Sequence, residues 1–218
     1  MKYALLTLPR VSDQVSSYTD EFSPRLQHPF YGWLGLRPAL AQHTVAEHDA
    51  LKRWAANRRS LVELGVAEGV SALALREVMA ENATFYLIDP FHLSRIPALN
   101  FMKRVAHRAV NTSRRGKVVW IDKFSHDAVR GWNTPIDLLF IDGDHSESGV
   151  ERDWNDWSPF VNTGGVAIFH DARVFEGGWV RPEYGPLKLV NRLFRDGEAT
   201  GWQIAEEVHS LLVVERLR

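Results

Sequence analysis

From residue 60 to residue 173, short apolar runs alternate with segments in which apolar residues recur every three or four positions. The runs SLVELGV, TFYLIDP, KVVWID, IDLLFIDGDH and GVAIFHD are too uniformly apolar for strands with one wetted face, so they read as buried strands. The helical period between and after them predicts helices over 69–80, 98–113, 125–131, 148–157 and near 186–196. Ahead of the first run, Thr44-Val-Ala-Glu47 has the form of a capping box and predicts a helix from Val45 to Asn57. Such alternation builds a parallel sheet covered by helices on both sides.

The end of the chain departs from the alternation. WQIAEEV (202–208) and SLLVVERL (210–217) are strand-like runs with His209 and Ser210 near the turn between them. So short a link forces antiparallel pairing, since a parallel crossover needs about a dozen residues. The expectation is an α/β fold of five parallel strands closed by a terminal hairpin. Residues 1–43 show no clean period and carry Pro9, Pro24, Pro29, Pro38, Phe30, Tyr31 and Trp33. They read as an irregular N-terminal arm or lid on a single domain spanning 44–218.

Composition narrows the function classes. A chain of 218 residues suits one well-buried domain better than two. With 26 basic and 27 acidic residues there is no global field to draw nucleic acid or an anionic membrane, and small-molecule chemistry is the default. The absence of cysteine excludes disulfides, thiolate nucleophiles and cysteine metal sites. No apolar run has membrane-spanning length, and the N-terminal run broken by Pro9 is too short for a signal-peptide core. A cytoplasmic protein is expected, with homodimerisation left open.

The strand ends carry the chemistry. After the first strand comes Glu63-Leu-Gly65-Val-Ala-Glu68-Gly69-Val-Ser71, where Gly65 allows a tight turn and Gly69 lets backbone approach a ligand at a helix start. The glycines are four apart, unlike G-x-G-x-x-G, and Glu68 would repel a pyrophosphate. A cationic or zwitterionic cofactor suits the loop better. Asp89, ending the second strand, stands where an acid grips ribose hydroxyls. The fourth and fifth runs end in Asp142, Asp144 and His145 and in His170 and Asp171.

These residues resemble the class I S-adenosylmethionine-dependent methyltransferases. VELGVAEGVSAL is similar to their first motif, YLIDPF to their second-strand acid and the terminal hairpin to their reversed last strand. LLFIDGDHSESGVERDW followed by GGVAIFHDA resembles a bacterial subgroup that includes sugar and polysaccharide O-methyltransferases of the methylmannoside type. The resemblance implies a Rossmann-like methyltransferase sheet, with Glu63, Gly65, Gly69 and Ser71 at the methionine part of the cofactor, Asp89 at its ribose and Asp142 close by. It also makes Asp142 and Asp171 ligands of a metal ion, with His170 standing where many relatives have an oxygen ligand.

Clustered carboxylates repel unless a cation separates them, and oxygen donors suit Mg²⁺. Such an ion would acidify an acceptor hydroxyl, and His145 is the first choice for the base that removes the proton, with Asp144 second. Asp144 or Ser148 could instead cap the helix 148–157, because Ser148-Gly-Val-Glu151 is a capping-box pattern. Trp33, Trp154, Trp157 and Trp179 are candidates to stack on a sugar, and the run 173–186 reads as a loop covering the acceptor. A divalent-metal-dependent O-methyltransferase acting on a sugar, oligosaccharide or other small acceptor accounts for all these features. A metal-dependent hydrolase, a metal-independent methyltransferase and an adenosine-binding module stay open beside it.

Overall fold

The computed structural model describes residues 28–91 and 100–217, so residues 1–27 of the expected arm and His92 lie outside the described residues. Among the described residues seven strands, β1 Ser60–Leu64, β2 Thr84–Ile88, β3 Lys117–Ile121, β4 Ile136–Ile141, β5 Val161–Phe169, β6 Trp202–Val208 and β7 Leu211–Arg216, form one sheet. Their order is β3-β2-β1-β4-β5-β7-β6. The pairings from β3 to β5 are parallel, while β7 runs antiparallel to both β5 and β6. The parallel sheet and its closing hairpin are as the sequence pattern predicts.

Alternation along the strands splits the core in two. Leu61, Phe85, Leu87, Leu138, Phe140, Val166 and Ile168 point to one face and meet α2 (Val45–Ala55), α3 (Val70–Val78) and α4 (Phe101–Val110). Val62, Leu64, Ile88, Leu139, Ile141, Ala167 and Phe169 point to the other and meet α5 (Ser125–Ala128), α6 (Glu147–Trp157) and α7 (Gly185–Val190). Both faces are buried at the centre of the sheet, which is why those runs are apolar throughout, while β3, expected as a buried strand, lies at the edge and is only partly buried. Trp154 and Trp157 belong to this second layer, at 5% and 0% exposure, and so are core residues rather than a sugar platform.

Local chemistry sets the helix ends. Thr44 and Glu47 form the capping box at α2, with Thr44 Oγ1 accepting from Glu47 N and a Glu47 oxygen accepting from Thr44 N. At α6 the cap is Ser146, whose hydroxyl accepts from Gly149 N, so the helix starts one residue before Ser148 and Ser148 caps nothing. Part of the expected irregular arm is ordered as a short helix, α1 (Pro29–Trp33), whose Phe30 and Trp33 rings pack on Phe101 of α4 at 5.2 and 5.1 Å. Among the described residues no helix is long and apolar enough to cross a membrane.

Candidate active site

The sheet order reverses between β1 and β4, and the connections leaving them go to helices on opposite faces, α3 and α6, so a crevice opens outside their carboxyl ends. A cavity of about 620 Å³ fills it, lined by Gly65, Gly69, Ser71, Asp89, Asp142, Asp144 and His145 among others. Gly65 takes φ +85°, and a Cβ there would lie 2.1 Å from the carbonyl oxygen of Asp142. Only glycine lets the β1 loop pass that close to β4. Gly69, at φ +79°, begins α3, and its crowded side faces α4, where a Cβ would come within 3.1 Å of Ala106 Cα.

The acids around the loop act on its shape. Asp89 accepts from Val66 N at 2.8 Å and Ala67 N at 3.1 Å through Oδ2, and from Phe91 N at 2.7 Å through Oδ1. It braces the loop while still lining the cavity. Glu63 is fully buried beneath the loop rather than on the cavity wall, with Oε1 accepting from Ser71 Oγ at 2.5 Å and Oε2 without a partner. Burial holds its carboxyl well above the usual carboxylate range. Glu68 lines the cavity, but its charge is paired rather than left to repel: Arg37 grips both its oxygens at 2.6 Å, and Leu40 N donates to Oε2 at 2.8 Å. The segment before α2 is thereby clasped to the loop.

At the ends of β4 and β5 the acids and imidazoles interleave. His145 Nε2 lies 2.8 Å from Asp171 Oδ2 and 3.7 Å from Asp142 Oδ1. His170 Nδ1 lies 3.3 Å from Asp142 Oδ1 and 3.2 Å from Asp171 Oδ1, and Glu47 Oε2 stands 3.9 Å from its Nε2. Consecutive strand residues normally face opposite sides. The left-handed φ of +54° at Asp171 breaks that alternation, so both His170 and Asp171 reach one cluster. Asp171 is further held by Trp179 Nε1, which donates to Oδ1 at 2.6 Å. With one oxygen on Trp179 and the other on His145, Asp171 stands outside the group of Asp142, His145 and His170, whose donor atoms lie within 4.8 Å of one another. Asp144 accepts from Ser146 N at 2.8 Å and packs against Gly149, so its carboxylate belongs to the turn entering α6.

Charge follows this layout. The hydrogen bond to Asp171 raises the pKa of His145 against the opposing effect of burial. Burial likewise opposes a charge on His170, yet Asp142, Asp171 and Glu47 push its pKa up to about 10. The cluster calls for a cation, a proton or a metal ion. Both ring nitrogens of His170 are buried, and among the described residues neither makes a well-directed hydrogen bond. An imidazole so placed, beside a carboxylate at 3.3 Å, fits a divalent ion, because bonds of about 2.1 Å put neighbouring donors about 3.0–3.4 Å apart.

Sequence reasoning missed four contributors. Asp153 of α6 lines the cavity, is 4% exposed and accepts from Ser125 Oγ; burial raises its pKa to about 6. Arg37 is the clasp on Glu68, and Glu47 is the acid behind His170. His43 also lines the cavity, and burial, then the imidazoles of His170 and His48, push its pKa down to about 3. Below an unfolded value of 6.5 the unfolded chain therefore takes up a proton that folded His43 refuses. The stability concerned is present above that value and lost as pH falls. Between about pH 7 and pH 5 this site should cost about 2 kcal/mol, and His43→Gln should flatten that part of the profile in urea titrations at the two pH values.

A sheet with its crevice between β1 and β4, a glycine loop on one wall and an acid–imidazole cluster on the other defines the architecture of the class I S-adenosylmethionine-dependent methyltransferases. Residues 62–172 match the family described as methyltransferase domain, and the chain belongs to that family. A crystal structure of a Corynebacterium glutamicum protein is similar with a TM-score of 0.64 at 16% identity, covering 93% of this chain and 95% of that one. The O-methyltransferase from Bacillus cereus in complex with SAH gives 0.58 at 14%, covering 89% and 92%. TomG, the Streptomyces achromogenes O-methyltransferase involved in tomaymycin synthesis and solved with SAM, gives 0.59 at 13%, covering 90% and 91%. These likenesses are of fold. In sequence, 64 residues are 39% identical to Uncharacterized protein R132 of Acanthamoeba polyphaga mimivirus, covering 29% of this chain and about a quarter, 27%, of that relative's length.

Proposed function

We propose that the protein transfers the methyl group of S-adenosylmethionine to a hydroxyl of a small acceptor, a sugar or oligosaccharide by the resemblance of its LLFIDGDHSESGVERDW and GGVAIFHDA segments. The observation that carries the reading is the His145–Asp171 pair at 2.8 Å, set on the rim of a cavity whose opposite wall is the glycine loop. The O-methyltransferases of similar fold support the choice of oxygen as the accepting atom.

The chain's own residues divide the work. The loop from Gly65 to Gly69, braced by Asp89, receives the cofactor, and Glu63 beneath it anchors the start of α3 through Ser71 Oγ. Asp171 accepts the Nε2 proton of His145, which leaves Nδ1 to take the hydroxyl proton as the acceptor oxygen bonds to the methyl carbon. Trp179 holds Asp171 in turn, and Gly185 N donates to the His145 carbonyl at 3.1 Å, so the segment between them fixes the base from both sides. Asp142 and His170 would hold a divalent ion, which when bound would lower the pKa of the acceptor hydroxyl. Asp144, engaged in its turn, shapes the entry to α6.

Calorimetric titration with S-adenosylmethionine, followed by methyl transfer to a panel of mannosides, rhamnosides and catechols with and without chelator, tests the proposal. Cofactor binding with transfer to a hydroxyl, lost on chelation and regained with added metal, is expected. Cofactor binding without transfer to any oxygen acceptor would overturn the function, and transfer untouched by chelation would remove the ion alone. Asp89→Ala should weaken cofactor binding roughly 10–100-fold, because three backbone donors lose a charged acceptor.

A further inference from the structure

We propose that the position between the ends of β4 and β5 selects a divalent ion that accepts nitrogen donors, Mn²⁺, Fe²⁺, Co²⁺ or Zn²⁺, over Mg²⁺. The inference rests on the metal part of the function proposed above and narrows it to a class of ion.

His170 carries the argument. It is 4% exposed, so water cannot satisfy its ring, and among the described residues neither nitrogen makes a well-directed hydrogen bond, although two carboxylate oxygens stand close to Nδ1. Leaving a buried polar group in that condition is costly unless something else fills the gap. Nδ1 points into the narrowest part of the cluster, 3.3 Å from Asp142 Oδ1 and 3.2 Å from Asp171 Oδ1. Nε2 faces the opposite way, toward Glu47 at 3.9 Å. Glu47 is itself immobilised: Oε1 accepts from Ser210 N and Oγ at 2.7 and 2.6 Å, and Oε2 from Thr44 N at 2.6 Å. An ion taken up at Nδ1 would leave the ring proton on Nε2, on the side of this fixed carboxylate. Carboxylates orient metal-bound imidazoles in this way.

The donor set then discriminates. Mg²⁺ demands oxygen ligands and gives up its waters reluctantly, whereas imidazole suits the first-row transition ions. At this centre Asp142 supplies a carboxylate oxygen and His170 a nitrogen, 3.3 Å apart. Asp171 is weakened as an oxygen donor, because Trp179 and His145 already bond to its two oxygens. An uncharged nitrogen in place of a carboxylate also lowers the negative charge on which a hard cation depends.

The test uses the metal-free full-length protein and the metals alone, without cofactor or acceptor. Calorimetry with MnCl₂ and MgCl₂ should give at least about tenfold tighter binding of Mn²⁺, and His170→Asp, which restores an oxygen donor, should narrow that ratio by a similar factor. Pulsed electron paramagnetic resonance of the Mn²⁺-loaded wild-type protein labelled with ¹⁵N-histidine should show coupling to an imidazole nitrogen, a reading independent of how the variant folds. Mg²⁺ binding as tightly as Mn²⁺, with no nitrogen coupling, would overturn the preference and leave the metal reading intact. No binding of either ion would overturn both, leaving a proton on His170 as the cation of the cluster.

Discussion

Replacing His145 with alanine should slow methyl transfer roughly 10²–10⁴-fold, the usual contribution of a positioned general base. The same variant should bind S-adenosylmethionine normally, because the loop that receives the cofactor is braced by Asp89 and not by His145. It should also keep the ion, whose proposed holders are Asp142 and His170. The pH profile supplies the sign. A base must be deprotonated to act, and Asp171 raises the pKa of His145. The rate should therefore climb with pH through a value above the ordinary 6.5. Asp171→Asn withdraws the hydrogen bond that raises it, so the acidic limb should move to lower pH even as the plateau falls for want of orientation. Trp179→Phe should give a milder version, lowering kcat more than it raises KM. An unchanged plateau in His145→Ala, measured alongside a disabled Asp144→Asn, would hand the proton to Asp144.

How much of this was legible before the structure depended on the range of each signal. The strands and the hairpin are written in runs of neighbouring residues; at the sheet centre, where both faces are covered, uniform apolarity translated directly into burial, whereas KVVWI, equally apolar, became the partly exposed edge strand β3. The capping box at Thr44 is equally local. At α6 the spacing offered Asp144 or Ser148 as the cap, and the turn that Asp144 makes on Ser146 N places Ser146 there instead. Long-range pairings left no trace. Glu68 read as a repulsive charge because Arg37, 31 positions away, gave no hint of being its partner. Glu47 read only as a cap acid, although its contacts to Ser210 span 163 positions. The strand-end acids and imidazoles were legible as residues but not as a geometry. The resemblance placed His170 and Asp171 at one centre, but the left-handed turn at Asp171 that brings both side chains there occurs without glycine or asparagine and has no local signal.

Gly65→Val should have the largest effect on the molecule as a whole. Its φ of +85° is unfavourable for any residue with a Cβ, and the new atom would meet the Asp142 carbonyl oxygen at 2.1 Å and Gly143 Cα at 2.9 Å. Neither contact is with a flexible side chain, so relief requires the β1 loop and the end of β4 to part. Strain of that backbone and overpacking together should cost roughly 2–6 kcal/mol, a large fraction of the stability of a domain this size. The damage falls on both walls of the site at once. Val66 and Ala67 would be drawn off Asp89, and Asp142 would be displaced from His170, so cofactor and metal binding should fail together even in molecules that remain folded. Gly69→Ala is the informative contrast. Its Cβ would meet Ala106 Cα at 3.1 Å on the side of α4, away from Asp142, so it should weaken cofactor binding while sparing the ion. Urea denaturation with parallel calorimetry of cofactor and Mn²⁺ separates the two variants. If Gly65→Val bound both ligands with wild-type affinity, the close passage of β1 over β4 could not be what builds the site.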